Sequence, residues 1–334
     1  MIPSRQLGPF ATSAIGYGCM GLSANYGVAL DRQRSARLLN LALDSGITML
    51  DTAAVYGDGA NERLLAETVM HRREDFILAS KGALHSVGGA RTLDGSPAAI
   101  QRTLEESLTR LGTEYIDLYY LHRLDTRVPI EDQVDVLARA REAGKIRAIG
   151  LSEMSAETLQ RAHAIHPIAA MQSEYSPSVR NPEIAVIDKC RELGVGFVAF
   201  SPTARGLLAG GIHDQNYSDG DIRGAMPRFV GENLRHNLAI ADKFAALARE
   251  HGVTPAQLSI QWVLSRGEHI VPIFGTGSED HLLENVASAS IALPTEVFIE
   301  VDRMLDGAIE GARYSAKLQA QIDTETFPYE PLEQ

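Results

Sequence analysis

Four side chains able to move or steer a proton stand at regular places in this chain: Asp51, Tyr56, Lys81 and His122. Asp51 closes the apolar run Ile47-Thr48-Met49-Leu50-Asp51, and Tyr56 lies in the tight turn that follows. Lys81 closes Phe76-Ile77-Leu78-Ala79-Ser80-Lys81, and His122 closes Tyr115-Ile116-Asp117-Leu118-Tyr119-Tyr120-Leu121-His122. A free phenol, with a pKa of about 10, exchanges protons poorly near neutrality. A nearby ammonium lowers that value, and a buried carboxylate keeps the lysine charged and in place. Tyr56 could then give a proton to a carbonyl oxygen or take one from an alcohol. His122 could hold the same oxygen and stabilise its developing charge. The set contains no nucleophile in an elbow and no redox centre, so the hydride must come from a bound nicotinamide or flavin. Singly, each residue has a commonplace alternative as a cap, a surface lysine, a structural histidine or a rim tyrosine. Three successive strands ending on proton-handling groups are poorly explained as independent accidents.

The elements that carry these residues alternate. An N-terminal Gly-punctuated hairpin and a Gly-rich loop fill residues 5–22. Helix 32–45 follows, with Asp31 as N-cap and Gly46 beyond its end. After the strand ending at Lys81, a Gly-rich loop leads to Ser96-Pro97, an N-cap followed by proline at the first helical position. Further strands are expected at 115–122, 146–152, 168–175, 196–201, 270–274 and 287–292, with helices between most of them. Near-continuous apolar strands joined by helices mean a parallel sheet covered on both faces. Eight such strands predict a closed (β/α)8 barrel, of class α/β, with an N-terminal β-hairpin and extra C-terminal helices and loops. An open doubly wound sheet would usually show a Gly-x-Gly-x-x-Gly turn after an early strand, and no such strand–turn–helix is visible. Barrel sites lie at the C-terminal strand ends, where Asp51, Lys81, His122, Ser152, Gln172 and Ser201 all fall. Residues 203–233 break the rhythm and are expected to be a functional lid or disordered. The expected organisation is one domain over 1–334, its tail from about 307 serving the substrate site or the surface.

Bulk properties narrow the partners. A net charge of -12 argues against nucleic acid or an anionic membrane, and no apolar run approaches membrane-spanning length. The 2 cysteines, Cys19 and Cys190, match no disulfide framework or zinc spacing and are expected as small buried hydrophobes. No apolar signal core follows Met1, so the cytoplasm is the expected compartment. A metal-dependent barrel hydrolase would carry a His-x-His pair on an early strand; none exists, and no metal is expected.

The motifs together resemble the aldo-keto reductases, in particular the bacterial branch with a Gly-Cys-Met-Gly loop near the N-terminus. The matching stretches are Gly18-Cys19-Met20-Gly21, Asp51-Thr52-Ala53, Val55-Tyr56-Gly57, Ala79-Ser80-Lys81 and Asp117-Leu118-Tyr119-Tyr120-Leu121-His122-Arg123. Further on come Gly144-Lys145-Ile146-Arg147-Ala148-Ile149-Gly150-Leu151-Ser152, Gln172-Ser173-Glu174-Tyr175-Ser176, Phe200-Ser201-Pro202, Arg205-Gly206 and Glu284-Asn285-Val286. The resemblance implies an NAD(P)(H)-dependent oxidoreductase interconverting an aldehyde or ketone and its alcohol. In it Tyr56 is the acid/base, Lys81 its pKa-lowering partner, Asp51 the partner of Lys81, and His122 the carbonyl-orienting group. It further implies that Ser152, Glu153 and Gln172 hold the nicotinamide carboxamide, Glu153 standing where many members have Asn. Phe200 replaces a stacking Tyr, while Ser201, Thr203 and Arg205 belong to the loop over the pyrophosphate. Gly275, Thr276, Ser278 and His281 lie along the phosphate-binding turn, Glu284 and Asn285 meet the adenine, and Met20 borders cofactor and substrate.

The family implies NADPH, yet the run Gly275-Thr276-Gly277-Ser278-Glu279-Asp280-His281 lacks the basic residues that grip a 2′-phosphate. Losing two charge-assisted hydrogen bonds would weaken NADPH by roughly a hundredfold if nothing substitutes. Reduced discrimination and use of NADH are therefore expected. Met20, Tyr26, Val55, Leu84, Arg123, the loop 86–94 and the tail are expected to wall the substrate, a small carbonyl or alcohol compound. A non-catalytic nicotinamide-binding regulatory or structural barrel is the alternative, although the complete tetrad argues for turnover. Neither direction nor oligomeric state is fixed by these residues.

Overall fold

The computed structural model describes residues 2–23, 26–27, 29–87, 90–328 and 330. The chain begins with an antiparallel hairpin of β1 (Ser4–Leu7) and β2 (Phe10–Ser13), then β3 (Gly16–Gly18), α1 (Arg32–Asp44), β4 (Met49–Asp51) and α2 (Ala60–Thr68). Next come β5 (Ile77–Gly82), a second hairpin of β6 (Leu84–Val87) and β7 (Ala90–Leu93), α3 (Pro97–Leu111), β8 (Ile116–Leu121) and α4 (Ile130–Glu142). The chain continues through β9 (Ile146–Ser152), α5 (Ala156–Ile165), β10 (Ile168–Glu174), α6 (Val186–Leu193) and β11 (Gly196–Phe200). It closes with α7 (Gly231–Glu250), α8 (Pro255–Leu264), β12 (Ile270–Phe274), α9 (Glu279–Ala287), α10 (Thr295–Leu305) and α11 (Ala316–Gln319).

Eight parallel strands close a barrel in the order β3-β4-β5-β8-β9-β10-β11-β12, and β12 pairs back onto β3. The fold class is as expected; the membership of the barrel is not. The expected strand at 287–292 is instead the end of α9 and a 3-10 turn, Ser288–Ser290. The closing strand is Gly16–Gly18, too short and Gly-rich to show a hydrophobic period. Two elements were also hidden in presumed loops. The Gly-rich stretch after Lys81 carries the β6–β7 hairpin, and α2 starts on left-handed Gly59 rather than on a polar cap. Between β10 and β11 the chain forms a 3-10 turn, Asn181–Glu183, and then α6. Within residues 203–230 lie the 3-10 turns Ala204–Ala209, Ile222–Ala225 and Pro227–Phe229, and α7 takes over at Gly231.

Local signals elsewhere act as their chemistry dictates. The Asp31 and Ser155 side chains accept the backbone N–H groups of Arg34 and Thr158, capping α1 and α5. Thr254 and Gln257 form a reciprocal capping box on α8, while Gly112 ends α3 in the left-handed conformation.

Strand periodicity sets the site. Met49, Ala79, Leu118, Tyr120, Ala148, Ala170 and Val198 share the cluster that fills the barrel lumen. Because side chains alternate, Asp51, Lys81, His122, Gln172 and Phe200, two residues further along their strands, point the same way at the C-terminal rim. The first hairpin plugs the opposite end, with Leu7 fully buried. Arg5 fastens it by donating to the carbonyls of Leu264 and Gly267, at 2.8 and 2.9 Å.

Gly150 is required by close approach. A Cβ there would lie 2.3 Å from Tyr120 Cδ1, and the Tyr120 ring is packed beneath Lys81, 5.9 Å from its ammonium. Gly150→Ala is therefore expected to destabilise the protein by about 1–3 kcal/mol through overpacking. Thermal denaturation checks this, and an unchanged midpoint would mean that the ring can shift freely.

Candidate active site

At the rim, the Lys81 ammonium donates to Asp51 Oδ1, to the Thr52 carbonyl at 2.9 Å and to the Tyr56 hydroxyl at 3.3 Å. Lys81 is 0% and Asp51 2% exposed, so this pair is sealed from solvent. Strand register makes it possible: Asp51 lies opposite Ala79, two residues before Lys81 on the same face. The second Asp51 oxygen accepts Gln172 Nε2 at 2.8 Å, linking the tetrad to β10. The His122 ring meets Tyr56 edge-on, with centroids 5.9 Å apart. The structure thus brings Asp51, Tyr56, Lys81 and His122 together.

Electrostatics at the site differ from expectation in one respect. Burial lowers the pKa of Lys81, but Asp51 and Tyr56 outweigh it and leave the group raised, so the ammonium stays charged. Burial raises the Tyr56 phenol more than Lys81 lowers it, and its pKa lies above the usual value, not below. Burial, with the positive charges of Arg123, Lys81 and Arg91, pushes His122 well below its usual value, so its imidazole is neutral near pH 7.

Ser152 and Gln172 lie side by side, paired across β9 and β10, and Phe200 ends β11. Glu153 departs from the expected carboxamide role. It is fully buried, and its carboxylate accepts the Glu174 N–H at 2.7 Å and Arg313 Nη2 at 3.2 Å. Arg205 departs too: rather than reaching over a pyrophosphate, its guanidinium grips both Glu174 oxygens, at 3.2 and 2.9 Å. The loop around it is tightly wound, with Ser201, Ala204, Arg205 and Gly206 all at positive φ and Thr203 between them extending into a 3-10 turn.

Beyond β12, Gly275, Thr276 and Ser278 form the turn into α9, where Ser278 caps the helix by accepting the His281 N–H at 3.3 Å. His281 is exposed in the first turn beside Glu279 and Asp280. Arg37 of α1 reaches this turn and pairs with Glu279 at 3.1 Å, a cation that local spacing could not reveal. Glu284 is held by the Thr254 hydroxyl at 2.7 Å. Asn285 Oδ1 is buried with no partner among the described residues, an acceptor that an adenine amine would satisfy. That orphan, the capped helix N-terminus and the paired Ser152 and Gln172 fit a nicotinamide dinucleotide.

Of the expected substrate walls, Val55 and Leu84 form an apolar cluster with Ala53, against which Tyr56 and Leu93 pack. Met20 lies in the 3-10 turn after β3, beside the Asp51 strand. Tyr26 instead hydrogen-bonds Arg205 at 3.4 Å. Arg123 donates to the His122 carbonyl at 2.6 Å and to the Ser152 hydroxyl at 3.3 Å. Gly88 and Gly89 of the wall loop and 331–334 of the tail lie outside the described residues. Cys19 and Cys190 are buried, and burial raises both thiols. Among the described residues, no helix is long and apolar enough to cross a membrane.

Sequence reasoning missed Glu174, Arg228, Arg313 and Tyr314, which surround Arg205 and Glu153. Glu174 ends a strand and was open to the same reasoning as Lys81. Arg228 and the tail residues carry no local signal.

Comparison with known proteins agrees with this geometry. Residues 14–306 match the model of the aldo/keto reductase family. The chain is 41% identical over 308 residues to probable aldo-keto reductase 1 of Glycine max, covering 91% of this chain and 89% of the relative. It is 38% identical to the NADP(+) aldo-keto reductase yakc of Schizosaccharomyces pombe, covering 98% of each. Among solved structures, it is similar to a glycerol dehydrogenase from Gluconobacter oxydans, with a TM-score of 0.82, 27% identity and coverage of 92% and 95%. The holo form of an aldo-keto reductase from Bacillus halodurans gives a TM-score of 0.75 at 26% identity, covering 94% and 99%. With the barrel, its rim and these relatives in agreement, the chain belongs to the aldo/keto reductase family and is an NAD(P)H-dependent carbonyl oxidoreductase.

Proposed function

We propose that this protein reduces an aldehyde or ketone with NADPH, Tyr56 delivering the proton to the carbonyl oxygen. The observation that carries the proposal is the sealed Lys81–Asp51 pair with its ammonium 3.3 Å from the Tyr56 hydroxyl. When bound, the nicotinamide supplies the hydride to the carbonyl carbon. Ser152 and Gln172 hold its carboxamide, Phe200 covers the ring, and Gly275, Thr276 and Ser278 receive phosphate at the N-terminus of α9. His122, being neutral, orients the carbonyl by hydrogen bonding without competing as an acid. Tyr56 then donates its proton, and Lys81 stabilises the phenolate left behind. Val55, Leu84 and Met20 favour a substrate with an apolar body.

The raised phenol also supports the direction. Near neutrality Tyr56 is protonated, the form that reduction consumes; oxidation would need the scarce phenolate. NADPH is supported by the likeness to the yakc protein, whose name carries NADP(+), and by Arg37 at the phosphate turn. Glu279 draws on that cation, so discrimination against NADH is expected to be modest.

Tyr56→Phe is expected to lower kcat for carbonyl reduction by about 10²–10⁴-fold while NADPH binding changes little. Failure of the wild-type protein to bind NADPH or NADH in a fluorescence titration would sink the proposal.

The pH dependence follows from the shifts. Protonated Tyr56 persists below its raised pKa, and His122 stays neutral above its lowered one. The kcat/KM for reduction at saturating cofactor should thus hold level from about pH 6.5 to about pH 10, while oxidation rises with pH. A reduction profile that falls through neutrality would contradict the assigned proton donor.

Glu279→Gln removes a carboxylate from the phosphate turn and releases Arg37. The affinity ratio of NADPH to NADH is expected to rise about two- to fivefold, as for other exposed charges. Parallel titrations check it, and an unchanged ratio would place the 2′-phosphate elsewhere.

A further inference from the structure

We propose that Arg313 and Tyr314, delivered by the C-terminal segment, are positioning residues that set the nicotinamide-holding groups through a buried ionic network. The inference rests on the proposed roles of Ser152, Gln172 and Phe200.

The network touches all three. Glu153 directly follows Ser152, stands at φ +52°, and donates its backbone N–H to the Gln172 carbonyl at 2.9 Å. Glu174 lies two residues beyond Gln172, and the N–H of the next residue, Tyr175, donates to the Phe200 carbonyl at 3.2 Å. Arg205 sits with its guanidinium carbon 5.7 Å from the centroid of the Phe200 ring. Two buried carboxylates, Glu153 and Glu174, thus face inward where three strand ends meet.

The tail supplies what this cluster needs. Arg313 Nη2 lies 3.2 Å from Glu153 Oε2, and its Nη1 is 4.0 Å from Glu174. The Tyr314 hydroxyl donates to Glu174 at 2.9 Å and accepts Arg205 Nη2 at 2.7 Å, bridging the tail to the strained loop after β11. Burial pushes the Glu174 carboxyl up, but Arg205 and Arg313 outweigh it and hold it at about 2. A second tether reinforces the first: the Asp323 N–H donates to the Glu153 carbonyl at 3.1 Å, and its carboxylate receives the Thr158 hydroxyl at 2.6 Å.

Removing one partner of a buried pair leaves an uncompensated charge. Without Arg313, the buried Glu153 carboxylate loses the guanidinium that holds it at 3.2 Å, and its reorientation releases the Ser152–Glu153 turn. Neither Arg313 nor Tyr314 touches the reacting atoms in this scheme; both act through Glu153, Glu174 and Arg205.

The test compares wild type, Tyr314→Phe, Arg313→Met and Arg313→Lys by NADPH titration, steady-state kinetics and thermal denaturation. Tyr314→Phe keeps the ring and loses only the bridge, and should raise the Kd for NADPH about three- to tenfold. Arg313→Met should raise it by more than about tenfold, with the cofactor KM rising more than kcat falls, and Arg313→Lys should recover part of the loss. Wild-type Kd values in folded Tyr314→Phe and Arg313→Met would overturn the inference, as would a lowered melting temperature with unchanged cofactor affinity. Should Arg313→Met not fold, Tyr314→Phe alone decides. Absence of nicotinamide binding by the wild type would overturn the functional reading instead.

Discussion

The buried pair of Lys81 and Asp51 is the interaction on which the rim depends. Two charges withdrawn from water are costly, and the cost is offset only if every remaining donor and acceptor is placed. Here Thr52, Tyr56 and Gln172 complete the set. That requirement fixes the register of β4 against β5 and brings β10 across the lumen to meet them. Beneath it, the Tyr120 ring fills the barrel because Gly150 leaves it room. The Tyr56 hydroxyl is therefore held against a cation that cannot leave.

Burial acts on this cluster in opposing ways. It raises the phenol despite the adjacent ammonium, and it lowers the imidazole, where neighbouring cations add to the effect. Both shifts keep the two groups uncharged near neutral pH, the phenol protonated and the imidazole neutral.

A second ionic cluster lies beside the first and is joined to it through Gln172, whose side chain meets Asp51 and whose carbonyl receives Glu153. The tail closes this outer cluster from a distance in sequence, where Arg313 meets Glu153 160 residues away. Non-glycine residues held at positive φ, Glu153, Ser201, Ala204 and Arg205, collect here. Such conformations persist when their surroundings over-determine them. The neighbouring ion pairs supply that constraint.

The barrel, the tetrad and the caps of α1 and α3 were legible in the sequence because each is encoded within a short window. Strand alternation places Asp51, Lys81, His122 and Gln172 on one face without knowledge of their neighbours. What the window could not hold was decided by tertiary structure. Gly16–Gly18 became the closing strand only because β4 and β12 offered it partners, whereas 287–292 had none. Glu153 and Arg205 look, by motif position, like cofactor contacts; buried charges seek the nearest opposite charge, and Arg313 and Glu174 claimed them. The same holds for Tyr56, whose local pattern implied a lowered pKa until the depth of its burial set the balance. Sequence alone determined the chemistry present at the rim. Packing determined which of those groups line the rim and which pair with one another, because charge pairing and desolvation depend on distances that spacing along the chain does not carry.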